Sequence, residues 1–316
     1  MLCIKDENTN DIQIEECLSR EQKRNIIKSL KSLDFYNYKN IDYKDITKSA
    51  ETIIEEVSKK KNIAMDLLDI KNDSNYDYAN SLAIAELTAA IAKEYEKDGY
   101  KIFTKEKLLA ITQAALLHNI GKSCKNPQVR EKLGIKEYNE NDTPIYSYKL
   151  LHDAIIPNSS VISVGILFHM INENGTNCPK GYENIIKQKG INLFSQIIHV
   201  ADSYMNLISQ ENKYKLPIGP AEAMEIIRDT SGQIFNKDIV DTFVKKVAIY
   251  PLGASVKLSN GEEGIIVGNN IGDEGFNYRP IVRTKAGIEY NLLDEKYKYL
   301  TIIPNENDNN IKKANI

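Results

Sequence analysis

Residues 116–122 read Leu116-Leu117-His118-Asn119-Ile120-Gly121-Lys122 and end a helical run that begins after Thr104. Leucine, isoleucine and alanine occupy most faces of that run, which is typical of a helix buried among other helices. The helix is predicted to stop at the glycine, so an imidazole and a short polar side chain stand at its buried end. Such an end is a natural position for ligand-binding residues, and a lysine follows at once.

Apolar residues at helical spacing predict further helices on both sides of this run. Two amphipathic helices are expected near the N-terminus, with Ser19 as the N-cap of the first. A helix that is apolar over most of its circumference is expected between Tyr78 and Tyr95. The two N-terminal helices are predicted over residues 19–33 and 44–60. The remaining predicted helices cover residues 142–154, 159–170, 193–209, 221–229 and 237–247.

After Pro251 the apolar residues change from a helical period to a period of about two. Short β-branched segments near 255–258, 264–267, 280–283 and 301–303 alternate with turn residues, and Asn260-Gly261 is a strong hairpin signal. The predicted fold class is mainly α, a helical bundle preceded by N-terminal helices and followed by a small antiparallel β subdomain. The expected domains are 1–70, 71–249 and 250–316, and the last ends in a frayed tail.

Composition argues against several classes of protein. The 316 residues carry 41 Lys+Arg and 44 Asp+Glu, a formal charge of -3, so no basic excess is available for non-specific binding to nucleic acid. The cysteines Cys3, Cys17, Cys124 and Cys178 form no CxxC pair, which favours reduced thiols over a zinc knuckle or a disulfide framework. No apolar run reaches the ~20 residues of a membrane span, and a cytoplasmic protein is expected.

Two other candidate residues stand in apolar surroundings. His169 falls at the end of a predicted helix, and Asp202 lies inside the run Ile197-Ile198-His199-Val200-Ala201. A buried carboxylate is unfavourable unless it is paired, hydrogen-bonded or bound to a cation. The alternatives are a satisfied core histidine and a carboxylate hydrogen-bonded to Asn or Tyr neighbours. His152 and His199 are interpreted as surface or packing residues.

These segments, in this order, resemble the HD-GYP branch of the HD phosphohydrolases. The stretch ending at Lys122 is similar to the family's Leu-Leu-His-Asp-Ile-Gly-Lys, and His-Val-Ala-Asp202 is similar to its Val-Ala-Asp. The resemblance runs from about Asn75 to Val247. It implies an HD-type helical bundle, two or three bound iron or manganese ions, and hydrolysis of the second messenger cyclic di-GMP.

Most positions that match the family's metal ligands carry other residues here. Asparagine replaces the bridging aspartate and one histidine, threonine replaces a second histidine, and methionine a third; the residues are Asn119, Asn80, Thr143 and Met170. The signature loop Asp-Gly-x-Gly-Tyr-Pro reads Asn174-Gly175-Thr176-Asn177-Cys178-Pro179. The resemblance leaves His118, His169 and Asp202 as remnant ligands.

Because a neutral amide cannot replace a bridging carboxylate, we expect a catalytically inactive member. No cofactor is expected or, if any, a single weakly bound Fe, Mn or Zn ion. Lys122 and Lys215 match phosphate-facing positions of the family, so a cyclic dinucleotide or another phosphorylated small molecule is the expected ligand. Lys122 has an alternative interpretation as a solvated lysine at a helix C-terminus, and Lys215 matches less well.

The alternative function is a metal-dependent phosphodiesterase that uses a reduced site of His118, His169 and Asp202, with Lys122 as a catalytic residue. Three protein ligands can suffice for a catalytic zinc. Against it, the family's layout implies that Asp202 and His118 serve one cation and His169 another. A signalling protein and a second copy of the chain are further candidate partners.

Overall fold

The computed structural model describes most of the chain in eight stretches, with six isolated residues between them. The stretches are 17–33, 35–60, 76–101, 103–152, 158–209, 220–247, 255–268 and 279–303, and the isolated residues are 154, 156, 218, 249, 250 and 270. The helices of this part are α1 (Arg20–Lys31), α2 (Lys44–Lys59), α3 (Tyr76–Lys97), α4 (Lys105–Leu117), α5 (Pro127–Lys132), α6 (Thr143–Leu151), α7 (Ser159–Leu167), α8 (Glu183–Lys189), α9 (Leu193–Ile208), α10 (Pro220–Asp229) and α11 (Lys237–Lys246).

The predicted helix starts are confirmed by their caps. The Ser19 hydroxyl accepts a hydrogen bond from the Gln22 backbone N–H, and the Gln22 side chain accepts one from the Ser19 N–H, which completes a capping box. The Thr104 hydroxyl accepts from the Lys107 N–H and caps α4. Each cap satisfies backbone donors that the helix leaves unpaired, and thereby fixes where the helix begins.

The core lies where α3 and α4 pack against each other and against their neighbours. α4 also contacts α2 and α7, and α3 contacts α9 and α11. Fully buried isoleucines and leucines fill this region, among them Ile84, Leu87, Ile91, Ile111 and Leu116. Both helices are therefore surrounded by protein, as their apolar circumference predicts.

The C-terminal strands form one antiparallel sheet in the order β4-β3-β2-β1-β5. Its strands are β1 (Ser255–Leu258), β2 (Glu263–Gly268), β3 (Ile281–Thr284), β4 (Glu289–Asn291) and β5 (Ile302–Ile303). Asn260-Gly261 lies in the β1–β2 turn, and Gly261 has a φ of 88°, a conformation that favours glycine. The mainly α fold with a small β subdomain is confirmed.

Some features differ from the predictions or fall outside the described residues. α5, α8 and β4 were not predicted. α4 ends at Leu117, and Gly121 lies inside a 3₁₀ helix over Ile120–Lys125 rather than at a helix break. The expected domain boundaries stay predictions. The boundary at 70/71 and the tail from residue 305 lie outside the described residues. No helix in the described ranges combines the length and apolar character needed to cross a bilayer.

Candidate metal and ligand site

His118 directs one ring nitrogen toward Asp202 inside the bundle. It caps the C-terminus of α4 and is fully buried. Its Nδ1 lies 2.7 Å from the Ala115 carbonyl oxygen, which can only accept, so Nδ1 carries the proton. In the neutral ring Nε2 then holds a lone pair, and that atom is buried without a hydrogen-bond partner.

His169 is arranged in the same way on a different element. It lies two residues beyond α7, and its Nδ1 donates to the Ile166 carbonyl at 2.6 Å. Burial is the main cause that lowers the pKa of His169, to about 4, so the ring is neutral near pH 7. Its Nε2 therefore also presents a lone pair.

Asp202, on α9, faces both imidazoles. Its Oδ1 lies 3.5 Å from His118 Nε2, and its Oδ2 lies 4.0 Å from His169 Nε2. Burial acts to raise the pKa of Asp202, but the interactions with His118, His169 and His199 outweigh it and lower the pKa to about 2. An ionised carboxylate thus faces two imidazole nitrogens, and no Asn or Tyr is recorded as its hydrogen-bond partner among the described residues.

The His118–Asp202 pair has the spacing of two ligands of one cation. A carboxylate and an imidazole lone pair repel each other unless a proton or a metal ion lies between them. Ligands about 2.0–2.2 Å from a tetrahedral ion stand about 3.4 Å apart, which the 3.5 Å separation at His118 matches. The 4.0 Å separation at His169 is wider, and no three His, Cys, Asp or Glu side chains in the described ranges already have complete metal-site spacing. His169 would have to move inward to complete the set, which is the geometry of a weak site.

The positions expected to hold a second ion offer neutral or outward-facing groups. Thr143 uses its hydroxyl to donate to the Glu140 carbonyl at 2.7 Å. Met170 is 38% exposed. Asn80 is buried, and its Oδ1 has no hydrogen-bond partner. None of these residues adds negative charge to that of Asp202.

Gly121 fixes the backbone between the histidine and the lysine. The Gly121 N–H donates to Ser147 Oγ at 2.8 Å, and that hydroxyl donates to the His118 carbonyl at 2.8 Å. A Cβ on Gly121 would lie 2.3 Å from the Thr143 carbonyl oxygen and 2.7 Å from the Ser147 nitrogen. The glycine is therefore required by the close approach of α6.

Lys122 pairs with the start of α3. Its Nζ lies 2.6 Å from Asp77 Oδ1, and the two side chains are 21% and 47% exposed. Lys122 therefore has a carboxylate partner, and both the phosphate-facing role and the solvated lysine at a helix C-terminus stay predictions. Lys215 lies outside the described residues, so its predicted role stays a prediction.

The loop that matches the family's signature is closed by its own side chains. Asn174 Oδ1 accepts from the Thr176 N–H at 3.0 Å, and Asn177 Nδ2 donates to the Met170 carbonyl at 2.7 Å. Cys178 is half-buried, and burial raises the pKa of its thiol. That environment disfavours a reactive thiolate.

His152 and His199, interpreted from the sequence as surface or packing residues, lie one at the surface and one in the core. His152 is exposed and stacks on Tyr148, as expected of a surface residue. His199 is buried and packs against Phe235 with ring centroids 4.8 Å apart.

Comparison with known proteins agrees with the fold. The family model described as "HD domain" matches residues 62–239. The chain is 27% identical over 234 residues to cyclic di-GMP phosphodiesterase PA4108 of Pseudomonas aeruginosa, which covers 70% of this chain and 52% of that protein. It is 28% identical over 206 residues to cyclic di-GMP phosphodiesterase PdeB of Borreliella burgdorferi, covering 62% and 50%. A cyclic di-GMP phosphodiesterase of Thermotoga maritima is 26% identical over 237 residues, covering 70% and 60%. The chain thus matches about half to three fifths of the length of these relatives.

Proposed function

The chain belongs to the HD domain family, and from that premise we propose that it is a ligand-binding or regulatory member that does not hydrolyse cyclic di-GMP. The proposal includes at most one weakly bound metal ion. The ligand is a phosphorylated small molecule, and the cyclic dinucleotides named for the relatives are the first candidates.

The observation that carries the proposal is the charge of the site. Among His118, His169 and Asp202, only Asp202 carries a negative charge. Asn119, which follows His118 in the chain, has a neutral side chain with one carbonyl oxygen and an amide group. Two divalent cations held close together need a bridging anion to reduce their repulsion. One carboxylate and two imidazoles are sufficient for one ion only.

His118, His169 and Asp202 would hold that ion. A bound divalent ion supplies Lewis-acid polarisation of a phosphate oxygen and can lower the pKa of water from ~16 to about 7. Lys122 would contact a ligand phosphate once the phosphate replaces Asp77 as its ionic partner. The Asp77 side chain is 47% exposed and can turn to solvent. A single ion pair with one half-exposed partner contributes on the order of 1 kcal/mol, so a doubly charged phosphate can displace it.

A second candidate function is a single-metal phosphodiesterase. The observation that favours it is that both Nε2 atoms face the carboxylate of Asp202, although the family's layout implied that they serve different cations. The same three ligands would then have to hold both the ion and a water molecule in a reactive position.

One pair of measurements distinguishes these functions. Protein purified without chelator and supplied with Mn²⁺, Fe²⁺ or Zn²⁺ is incubated with cyclic di-GMP and assayed by chromatography, and binding is measured in parallel by calorimetry. We expect binding without conversion. Conversion to a linear dinucleotide that is abolished by chelator and by His118→Ala, but not by His152→Ala, would establish the phosphodiesterase instead.

A further inference from the structure

A concave cleft of about 520 Å³ lies where α2, α3 and α11 end. Its volume is within the range of about 300–1,000 Å³ that is usual for small-molecule pockets. Seven of its nine lining residues are ionisable: Lys59 and Lys60 from the end of α2, Lys93, Glu94, Glu96 and Lys97 from α3, and Lys246 from α11. We propose that the cleft binds a diphosphate group, either as inorganic pyrophosphate or as part of a nucleoside diphosphate.

The cleft is separate from the candidate site. α3 reaches both places: Asp77, which pairs with Lys122, lies in its first turn, and Lys93 lies near its other end. The rise from Asp77 to Lys93 is about 24 Å along the helix axis, at 1.5 Å per residue. A diphosphate in the cleft is therefore too far away to contact Lys122.

Lysines outnumber carboxylates in the lining of the cleft. It holds five lysines and two glutamates, which gives a net charge of +3. Glu94 is shared between two of the lysines: its Oε1 lies 2.9 Å from Lys97 Nζ, and its Oε2 lies 3.6 Å from Lys246 Nζ. A concave wall of one predominant charge raises the local concentration of ions of the opposite charge, so the cleft favours an anion with several charges.

The ion pairs on α3 are of a kind that a ligand can exchange. Lys93 pairs with Glu96 at 3.1 Å, and Lys97 pairs with Glu94 at 2.9 Å, both at a spacing of three residues. The two lysine side chains are 37% and 73% exposed. Exposed pairs of this spacing stabilise a helix only slightly, because water and salt screen them. A phosphate can therefore replace the glutamates as the partner of these lysines.

Lys59 has carboxylates of its own outside the lining. Its Nζ lies 2.9 Å from Glu55 and 3.1 Å from Glu56, and its side chain is 54% exposed. With these two glutamates the surroundings hold five ammonium groups and four carboxylates. The positive excess is therefore concentrated inside the cleft, where the side chains of Lys60, Lys93 and Lys246 add to it.

Lys246 is the fixed part of the cleft. Its side chain is 7% exposed, and its Nζ donates to the Lys60 carbonyl oxygen at 2.9 Å. A side chain that is already held in place loses little conformational freedom when a ligand binds. Lysines in the last turns of α2, α3 and α11 also offset the negative ends of these helices. That role alone does not require five lysines from three helices to line one concave space.

Titration calorimetry with inorganic pyrophosphate at low salt tests the proposal. We expect one pyrophosphate per chain, and an affinity at least fivefold lower in Lys60→Gln/Lys93→Gln. The control Lys237→Gln removes an exposed lysine at the other end of α11 and should bind like the unmodified protein. Guanosine and adenosine diphosphates are titrated in parallel. Tighter binding of either than of pyrophosphate would assign the cleft to a nucleotide, and equal binding would assign it to the diphosphate alone.

Other results overturn the proposal. No heat of binding at millimolar pyrophosphate, or equal affinity in the double variant, would show that the lysines only offset carboxylates and helix ends. Loss of pyrophosphate binding in Lys122→Gln but not in the double variant would move the anion to the candidate site. Cyclic di-GMP is titrated into the same variants, so the proposed function is judged separately. Circular dichroism checks folding, and Lys93→Gln alone replaces the double variant if that one does not fold.

Discussion

Substitution of Gly121 by alanine should unfold the region that joins the histidine to the lysine. The added Cβ would meet the Thr143 carbonyl oxygen at 2.3 Å, the Ser147 nitrogen at 2.7 Å and the Ser147 Oγ at 2.8 Å. Two of these atoms are backbone and cannot rotate away. α6 must therefore move off the 3₁₀ helix, and the hydrogen bonds from Gly121 to Ser147 and from Ser147 to His118 are lost or stretched.

The expected loss of unfolding free energy follows from these contacts. Overpacking a close-packed site costs about 1–3 kcal/mol. Each of the two buried hydrogen bonds contributes about 1 kcal/mol. The sum is about 3–5 kcal/mol, a large fraction of the stability of an ordinary domain.

Gly165→Ala is the matched control. Gly165 lies in α7, and its added Cβ would make ordinary contacts of 3.6 Å to Phe194 and 3.7 Å to Ala114. Because alanine has the higher helix propensity, this variant should gain about 0.5–1 kcal/mol. Both effects are measured by urea unfolding of metal-free protein, followed by circular dichroism. A Gly121→Ala variant within 1 kcal/mol of the unmodified protein, or an equal loss in Gly165→Ala, would refute the packing argument.

Three further predictions concern the site. Asp77→Asn removes the carboxylate that competes with a ligand phosphate for Lys122. Because such an ion pair contributes about 0.2–1 kcal/mol, calorimetry should show that the variant binds a phosphorylated ligand up to about fivefold more tightly. Weaker binding would contradict this. Zn²⁺ at a hundred times its dissociation constant should stabilise the unmodified protein by about 2.7 kcal/mol and raise its Tm. The His118→Ala variant should show no such rise, and an equal rise in both proteins would place the ion elsewhere. Asn119→Asp should still bind at most one ion per chain by mass spectrometry and show no cyclic di-GMP hydrolysis, whereas two tight irons would disprove the charge argument.

The long helices could be predicted because each repeats its apolar pattern over several turns. α3 and α4 are buried around most of their circumference, and their sequences are apolar to the same degree. α5 and α8 have six and seven residues, fewer than two turns, and so give no measurable period. β4 has three residues, and its pairing with β3 depends on a neighbour rather than on its own pattern.

The sequence offered His118, His169 and Asp202 as candidate site residues but could not give the distances between them. His118, Asp202 and His169 come from three separate segments, so their meeting depends on how α4, α7 and α9 pack. The Lys122–Asp77 pair joins residues 45 positions apart, which no local pattern can indicate.

The difference between one ion and two lies in more than the bridging residue. An aspartate at 119 would add one negative charge, but a second ion would still lack imidazoles at Asn80, Thr143 and Met170. Met170 is 38% exposed, so even a histidine at that position would need the segment after α7 to turn inward. The Thr143 hydroxyl donates a hydrogen bond to the Glu140 carbonyl at the start of α6. The Thr143 backbone carbonyl also lies so close to Gly121 that only glycine fits there. A two-metal centre would therefore need several substitutions together with a backbone shift, whereas a one-ion site needs only a small inward movement of His169.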